Sequence, residues 1–136
     1  EYVWGSNQAA LSYGLFLMLA QDVLPNADFQ QAALAQVQYI LGVNPMAKAY
    51  ISGIGSDPVQ HPHHNVSFHF QTALPGLIGE GANNLASGGD AALEAVWASG
   101  ASPAQSYVDD WESWASNEPT IDANATFVAL VSYFAD

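Results

Sequence analysis

Between Tyr107 and Ala125 the chain gathers Asp109, Asp110, Glu112, Glu118 and Asp122 with the rings of Tyr107, Trp111 and Trp114. Carboxyl groups carry the proton chemistry of glycosidic bond cleavage, and aromatic faces stack on sugar rings. Glu118 is the candidate acid. It stands just before Pro119, where a helix is expected to begin. A helix start stabilises the ionised carboxylate, so an acid here needs apolar walls or neighbouring carboxylates to keep its proton. Asp109, Asp110 and Asp122 are available for like-charge pressure, and Trp111 and Trp114 for walls. Plainer readings stay open: a carboxylate that merely favours the positive end of a helix, and tryptophans packed in a core.

Four histidines, His61, His63, His64 and His69, lie close together in the sequence. The first three suit a zinc cluster, a substrate-binding role or plain loop structure. His63 and His64 are adjacent and tend to project apart, and Pro62 restricts the backbone before them. No His-Glu-x-x-His is present. Gly79-Glu80-Gly81 and Gly88-Gly89-Asp90 are not phosphate loops, for they have no P-loop lysine and no preceding strand. No Gly-x-Ser-x-Gly nucleophile turn occurs.

The remaining composition narrows the partners. Thirteen acidic residues stand against Lys48 alone, for a formal charge of -12. Nucleic acid and anionic membrane are excluded as partners, because both recruit Lys and Arg. Such acidity suits solubility first, and a cationic partner is the sharper alternative. Without cysteine there is no disulfide or thiolate chemistry. The length of 136 residues suffices for one domain with a core. No apolar run approaches the roughly 20 residues of a membrane span. The start at Glu1, with no signal-peptide pattern and an abrupt passage into Tyr2-Val3-Trp4, predicts a piece of a longer chain.

The elements that must position these residues read as helices joined by loops. Leu11, Leu15, Met18 and Leu19 predict a helix from about Gln8 to Val23, with Ser6 or Asn7 as its cap. Tyr13, Phe16 and Leu17 make it apolar almost all round, which predicts deep burial. A second helix is expected from near Asp28, with a buried stripe of Leu34, Val37 and Leu41, ended by Gly42 and Asn44-Pro45. From Met46 to about Gly89, glycines and prolines predict a long, ordered, functional loop. A short helix from Ala91 to Ser99 places Leu93, Val96 and Trp97 on one side. The last helix is expected from about Pro119 through Phe134.

Several segments in order resemble one family. They are Tyr2-Val3-Trp4-Gly5-Ser6-Asn7, Tyr39-Ile40-Leu41-Gly42-Val43-Asn44-Pro45, Gly53-Ile54-Gly55-Ser56 with Pro62-His63-His64, and Pro75-Gly76-Leu77. The series closes with Tyr107-x-Asp109, Trp114, Asn117-Glu118, Asp122 and Asn124-Ala125. Together they resemble the C-terminal part of the catalytic domain of glycoside hydrolase family 9, the endoglucanase (cellulase) family. The resemblance implies an all-α fold, the C-terminal portion of an (α/α)6 barrel with long ordered loops. It spans residues 1–136 as an incomplete barrel, with the remainder of the same catalytic domain as partner.

What the resemblance implies chemically is hydrolysis of β-1,4-glycosidic bonds in cellulose or a related β-glucan, with inversion. Glu118 would be the general acid and Asp109 would support it. His63, His64, Asn65, Trp111 and Trp114 would bind substrate. No metal is expected, and no cofactor; calcium is a weaker alternative for which this loop offers no convincing ligand set. The resemblance implies an extracellular or periplasmic location. The family's catalytic base lies in an Asp-Ala-Gly-Asp motif, absent from these residues, so the chain alone is expected to be inactive. Asn65 replaces the family's arginine after the two histidines, and Ala123 a tyrosine before the Asn-Ala pair. These departures leave two alternatives: an exo-acting β-glucosidase or β-glucosaminidase on short oligosaccharides, and a non-catalytic carbohydrate-binding paralogue.

Overall fold

The computed structural model describes residues 2–85 and 88–135. Ala86 and Ser87 of the expected loop, and the start at Glu1, lie outside the described residues. The helices are α1 (Ser6–Val23), α2 (Ala27–Ile40), α3 (Asn65–Phe70), α4 (Ala91–Ala98), α5 (Trp114–Asn117) and α6 (Ile121–Ser132), with a 3-10 turn at Pro103–Gln105. Among the described residues, strand pairing is limited to isolated bridges. No described helix is long and apolar enough to cross a membrane.

α1 begins earlier than its periodicity predicts, and neither Ser6 nor Asn7 caps it. Gly5, at φ +75°, takes the cap position without a side-chain bond. Asn7 is used in a tertiary contact instead: its backbone N–H donates to Glu80 O at 3.0 Å and its Nδ2 to Gly79 O at 2.9 Å. One face of α1, carrying Asn7, Leu11, Gly14 and Met18, packs on α2 and α6. The expected burial all round is not found. Tyr13 is 66% and Phe16 68% exposed, because both helical neighbours of α1 lie on its Leu11 face.

Asn26 caps α2 by accepting the Asp28 N–H at 3.0 Å, as a short polar side chain at that position does. Its buried stripe is Ala33, Val37 and Ile40, turned by about one residue from the expected Leu34, Val37 and Leu41. The end of the helix explains the turn: Ile40 O accepts from Tyr50 N at 2.8 Å, which aims this edge at the loop. Gly42, at φ +116°, then reverses the chain. Asn44 locks the reversal, its Nδ2 donating to Tyr39 O and Lys48 O at 2.7 and 2.8 Å.

The long loop is ordered, as its apolar content predicts. Bridges pair Ala49 with Pro58, Ile51 with Ile78, and Gly79 with Pro119. Tyr50, Ile51, Val59 and Ile78 enter the same core as α1, α2 and α6. α3 was not expected; His64 starts it, its Nδ1 accepting from Ser67 N at 3.4 Å. α6 begins after Thr120, whose hydroxyl accepts from Ala123 N at 3.3 Å. Pro119 and Glu118 therefore precede the helix, and the expected start at Pro119 is corrected by two residues. Glu118 sits in extended backbone, φ -74° and ψ 128°, between α5 and α6.

A Cβ on Gly14 would meet Leu130 Cδ2 at 2.6 Å and Gln36 Cβ at 3.3 Å. Gly14→Val should therefore cost about 1–3 kcal/mol by overpacking, despite the gain in helix propensity. The exposed Val23→Ala should stay within about 0.5 kcal/mol. Thermal melts of the two variants compare them; equal midpoints contradict the close α1–α6 contact.

Candidate active site

The acid segment is held by buried amides and carboxylates that tie it to the histidine loop. Asn117 is fully buried. Its Oδ1 accepts from the Tyr107 hydroxyl at 2.6 Å, and its Nδ2 donates to His61 O at 2.5 Å and reaches Asp109 Oδ1 at 3.4 Å. Its backbone oxygen accepts from His63 N at 3.0 Å. Burial pushes the Tyr107 phenol well up, the Asp109 charge adding to it, so the hydroxyl stays a donor.

Asp109 is used where it stands. Its two oxygens accept from Gln60 N and His61 N at 2.8 and 2.7 Å, and Lys48 Nζ lies 3.1 Å from Oδ2. The single basic residue of the chain thus sits behind the histidine loop, bridging Asp109 and Asp57. Asp109 is thus joined to Asn117, the residue before Glu118, directly and through the 60–61 backbone. Asp110 closes a local turn, accepting from Glu112 N at 2.8 Å.

The structure brings His63, His64, Asn65 and Trp111 to one groove of about 190 Å³, completed by Phe68 and Glu112. His63 Nδ1 hydrogen-bonds Trp111 O, which leaves Nε2 free. Trp111 meets His61 and Phe68 edge-on at 5.1 and 6.1 Å between ring centroids. His64 also lines a larger apolar groove, about 630 Å³, built from Leu77, Pro119, Thr120, Ile121 and Val128. That groove supplies the apolar wall next to the acid segment. Trp114 is not part of either lining. It packs edge-on against Trp4 at 5.3 Å, with its Nε1 3.5 Å from Gly89 O. Among the described residues, no group of three or more His, Asp and Glu side chains could hold a metal ion.

The carboxylate that faces Glu118 is one that the sequence reading passed over. The bridge between Gly79 and Pro119 is antiparallel. It brings the Glu80 segment alongside Glu118, while Gly81 N donates to Ser116 O at 2.9 Å, so the pairing does not continue as a regular ladder. Glu80 is 8% exposed. Burial, and then the Glu118 charge, push its carboxyl up to about 7. Asp109 and Asp110, expected to crowd Glu118, are turned to backbone amides instead. The signal was a lone carboxylate between two glycines, a place where backbones approach closely.

The sequence model of Glycosyl hydrolase family 9 matches residues 1–131. The chain belongs to glycosyl hydrolase family 9. It is 30% identical to a cellulose 1,4-beta-cellobiosidase of Acetivibrio thermocellus, over 97% of this chain and 15% of that protein. It is 33% identical to a xyloglucan-specific endo-beta-1,4-glucanase of Bacteroides ovatus, over 97% of this chain and 22% of the relative. The crystal structure of the family 9 endoglucanase J30 superposes with a TM-score of 0.93 at 36% identity, over 99% of this chain and 25% of that one. The chain thus spans a quarter or less of these relatives. Its helices and ordered loops are a portion of the (α/α)6 barrel of family 9 endoglucanases.

Removing Asp109 from this family 9 chain frees two backbone amides and leaves Lys48, only 10% exposed at its side chain, with Asp57 and the Pro58 carbonyl. Asp109→Ala should destabilise the protein by about 3 kcal/mol. Denaturant titration measures this, and a loss under about 1 kcal/mol, typical of a surface pair, contradicts the buried network.

Proposed function

We propose that the protein carrying this chain hydrolyses β-1,4-glycosidic bonds in cellulose or a related β-glucan, with inversion at the anomeric carbon. Residues 1–136 would form the C-terminal part of its catalytic domain. The observation that carries this reading is that Glu118, in extended chain, lies between Asn117, whose backbone oxygen accepts from His63 N, and Pro119, which lines the larger groove. Because Nδ1–H donates to the Trp111 carbonyl, the neutral His63 ring presents Nε2 as an acceptor, to which a hydroxyl of a sugar lying in the Trp111 groove can donate.

In the reaction, the Glu118 O–H bond breaks as its proton passes to the glycosidic oxygen. The bond from the anomeric carbon to that oxygen breaks, and its electron pair stays with the leaving sugar. A water attacks the opposite face of the ring and gives its proton to a carboxylate base. That base belongs to the part of the protein outside these residues, which hold no Asp-Ala-Gly-Asp. The exposed face of α1 with Tyr13 and Phe16 suits packing against further helices of the barrel. An extracellular or periplasmic setting follows from a polymeric substrate too large to enter a cell. No cofactor is needed for this chemistry.

A second reading, an exo-acting β-glucosidase or β-glucosaminidase on short oligosaccharides or a non-catalytic glycan binder, draws on two positions. Asn65 offers an uncharged amide at the groove, and the Ala123 methyl is buried in the core. Both remove groups that would touch sugar if the family pattern held.

Glu118→Gln in the complete protein should cut turnover of unactivated β-glucan by about 10²–10⁴, with a smaller loss on aryl glycosides whose leaving group needs no proton. Near-normal turnover of cellulose oligomers by this variant removes Glu118 from the acid role. Glycan binding with no hydrolysis by the wild type supports the non-catalytic reading. The purified 136-residue chain alone should show no hydrolysis in a reducing-sugar assay; turnover by a verified product contradicts a base supplied from elsewhere.

A further inference from the structure

A second groove opens beside the one at His63. Its volume is about 350 Å³, and its lining includes Val59, Gln60, His61, Gln71, Thr72 and Trp111. Trp111 also lines the His63 groove, so the two cavities meet at its ring. The lining holds no carboxylate, lysine or arginine. Its one titratable side chain is His61, whose Nδ1 lies 3.7 Å from Asp109 Oδ1. Charged ligands find no counter-charge here, and a neutral polar one suits the groove.

The polar side chains of this groove are tied in place. Gln60 Nε2 donates to Pro58 O at 2.9 Å, Gln71 Nε2 to Phe68 O at 2.6 Å, and the Thr72 hydroxyl to Phe70 O at 3.2 Å. A carbonyl takes only the N–H side of an amide, which fixes how both glutamines are turned. Each keeps its Oε1 and one N–H for a ligand, and the Thr72 oxygen keeps its lone pairs. Neither carbonyl needs its glutamine. Pro58 O also accepts from Lys48 Nζ at 3.4 Å, and Phe68 O from Gln71 N at 3.2 Å. The tethers instead hold two long side chains that a ligand would otherwise have to immobilise.

Gln71 stands where glycine fits better. It closes α3 at φ 50° and ψ 40°, the left-handed conformation in which helix ends commonly place glycine or asparagine. A residue with a Cβ is disfavoured there. Backbone strain of this kind gathers at ligand-holding sites, and here the strained residue carries one of the amides lining the groove.

We propose that the groove at Gln60, Gln71 and Thr72 is a second sugar subsite, which takes a neutral pyranose ring of the same glycan that occupies the His63 groove. This rests on a β-glycan being the ligand. The apolar face of the ring lies against Trp111, and its hydroxyls donate to the glutamine Oε1 atoms and accept from their free N–H groups. The volume lies within the range of small-molecule sites, about 300–1,000 Å³. Short oligosaccharides fill the His63 groove alone and longer ones reach Gln71, so this groove sets a preference for chain length.

The test compares kcat/KM of the complete enzyme and of Gln71→Gly on β-glucan oligomers of increasing length. Glycine suits the backbone at this position, so the variant should keep its fold. Its preference for long over short oligomers should fall by about 3–10-fold, as the loss of one hydrogen bond predicts. A purely structural Gln71 shifts the thermal melt and leaves that ratio in place. An unmoved ratio in folded Gln71→Gly overturns the subsite and leaves β-glucan hydrolysis standing. Should Gln71→Gly fail to fold, Thr72→Val, of like shape without the hydroxyl, decides by the same ratio: a fall upholds the subsite and an unmoved ratio overturns it. A wild type that hydrolyses no β-glucan oligomer overturns the proposed activity. Calorimetric binding of the same oligomers then judges the groove. Weaker binding of long oligomers by Gln71→Gly upholds it, and equal binding, or none by either protein, overturns it.

Discussion

One buried side-chain amide holds the acid segment to the histidine loop. Asn117 has no access to water, so each of its polar atoms must find a partner or incur the full cost of desolvation. Its partners come from Tyr107, His61, His63 and Asp109, residues far apart along the chain. Because all of them must be satisfied together, the backbone at 117 has little freedom, and Glu118 is the next residue. The position of Glu118 is therefore a consequence of hydrogen bonding at its neighbour. The same logic extends outward through Tyr107, which packs edge-on with Tyr50 at 4.9 Å and so links the site to the core beneath α2.

Charge is spent sparingly in this chain, and its location is informative. Lys48, the single cation, is placed behind Asp109, where it holds the carboxylate whose two oxygens fix residues 60 and 61. Asp90 is nearly inaccessible and accepts from Leu93 N, Ser113 Oγ and Ala115 N, which starts α4 and anchors the turn of α5. Each of these carboxylates ties together segments that are distant in the chain. Glu80 differs from both: burial, and then the Glu118 charge, push its carboxyl up to about 7. The contrast separates carboxylates that build the site from one held in it at a cost.

Much of this was legible in the residues. The helices α1, α2, α4 and α6 carry the apolar spacing that predicts them, and the stop at Gly42 follows from local chemistry. Asp109, His63, His64, Asn65 and Trp111 are drawn to one region, as the spaced motifs led one to expect. What was missed depends on contacts that spacing does not encode. The capping role expected of Asn7 gave way to its bonds with Gly79 and Glu80, because a tertiary donor–acceptor set satisfies more buried atoms than a cap does. Trp114 lies on the Trp4 side because α5 is a single turn, which sends Trp114 away from Trp111. Glu80 could be found only from the register of a two-residue bridge between segments nearly 40 positions apart.

The corrected start of α6 changes the electrostatic argument at its root. An acid in the first turn of a helix would have its ionised form stabilised by the aligned peptide dipoles, an effect that fades outside that turn. Thr120 takes the cap, and Glu118 stands two residues before it in extended chain, so the dipole is aimed at Thr120 and Asp122. Extended backbone has a second effect. It allows the antiparallel bridge through Pro119, which a helical Glu118 could not make, and that bridge brings the Glu80 segment alongside. Ending the helix two residues later thus takes Glu118 out of the first turn and lets the chain before α6 join the loop at Gly79.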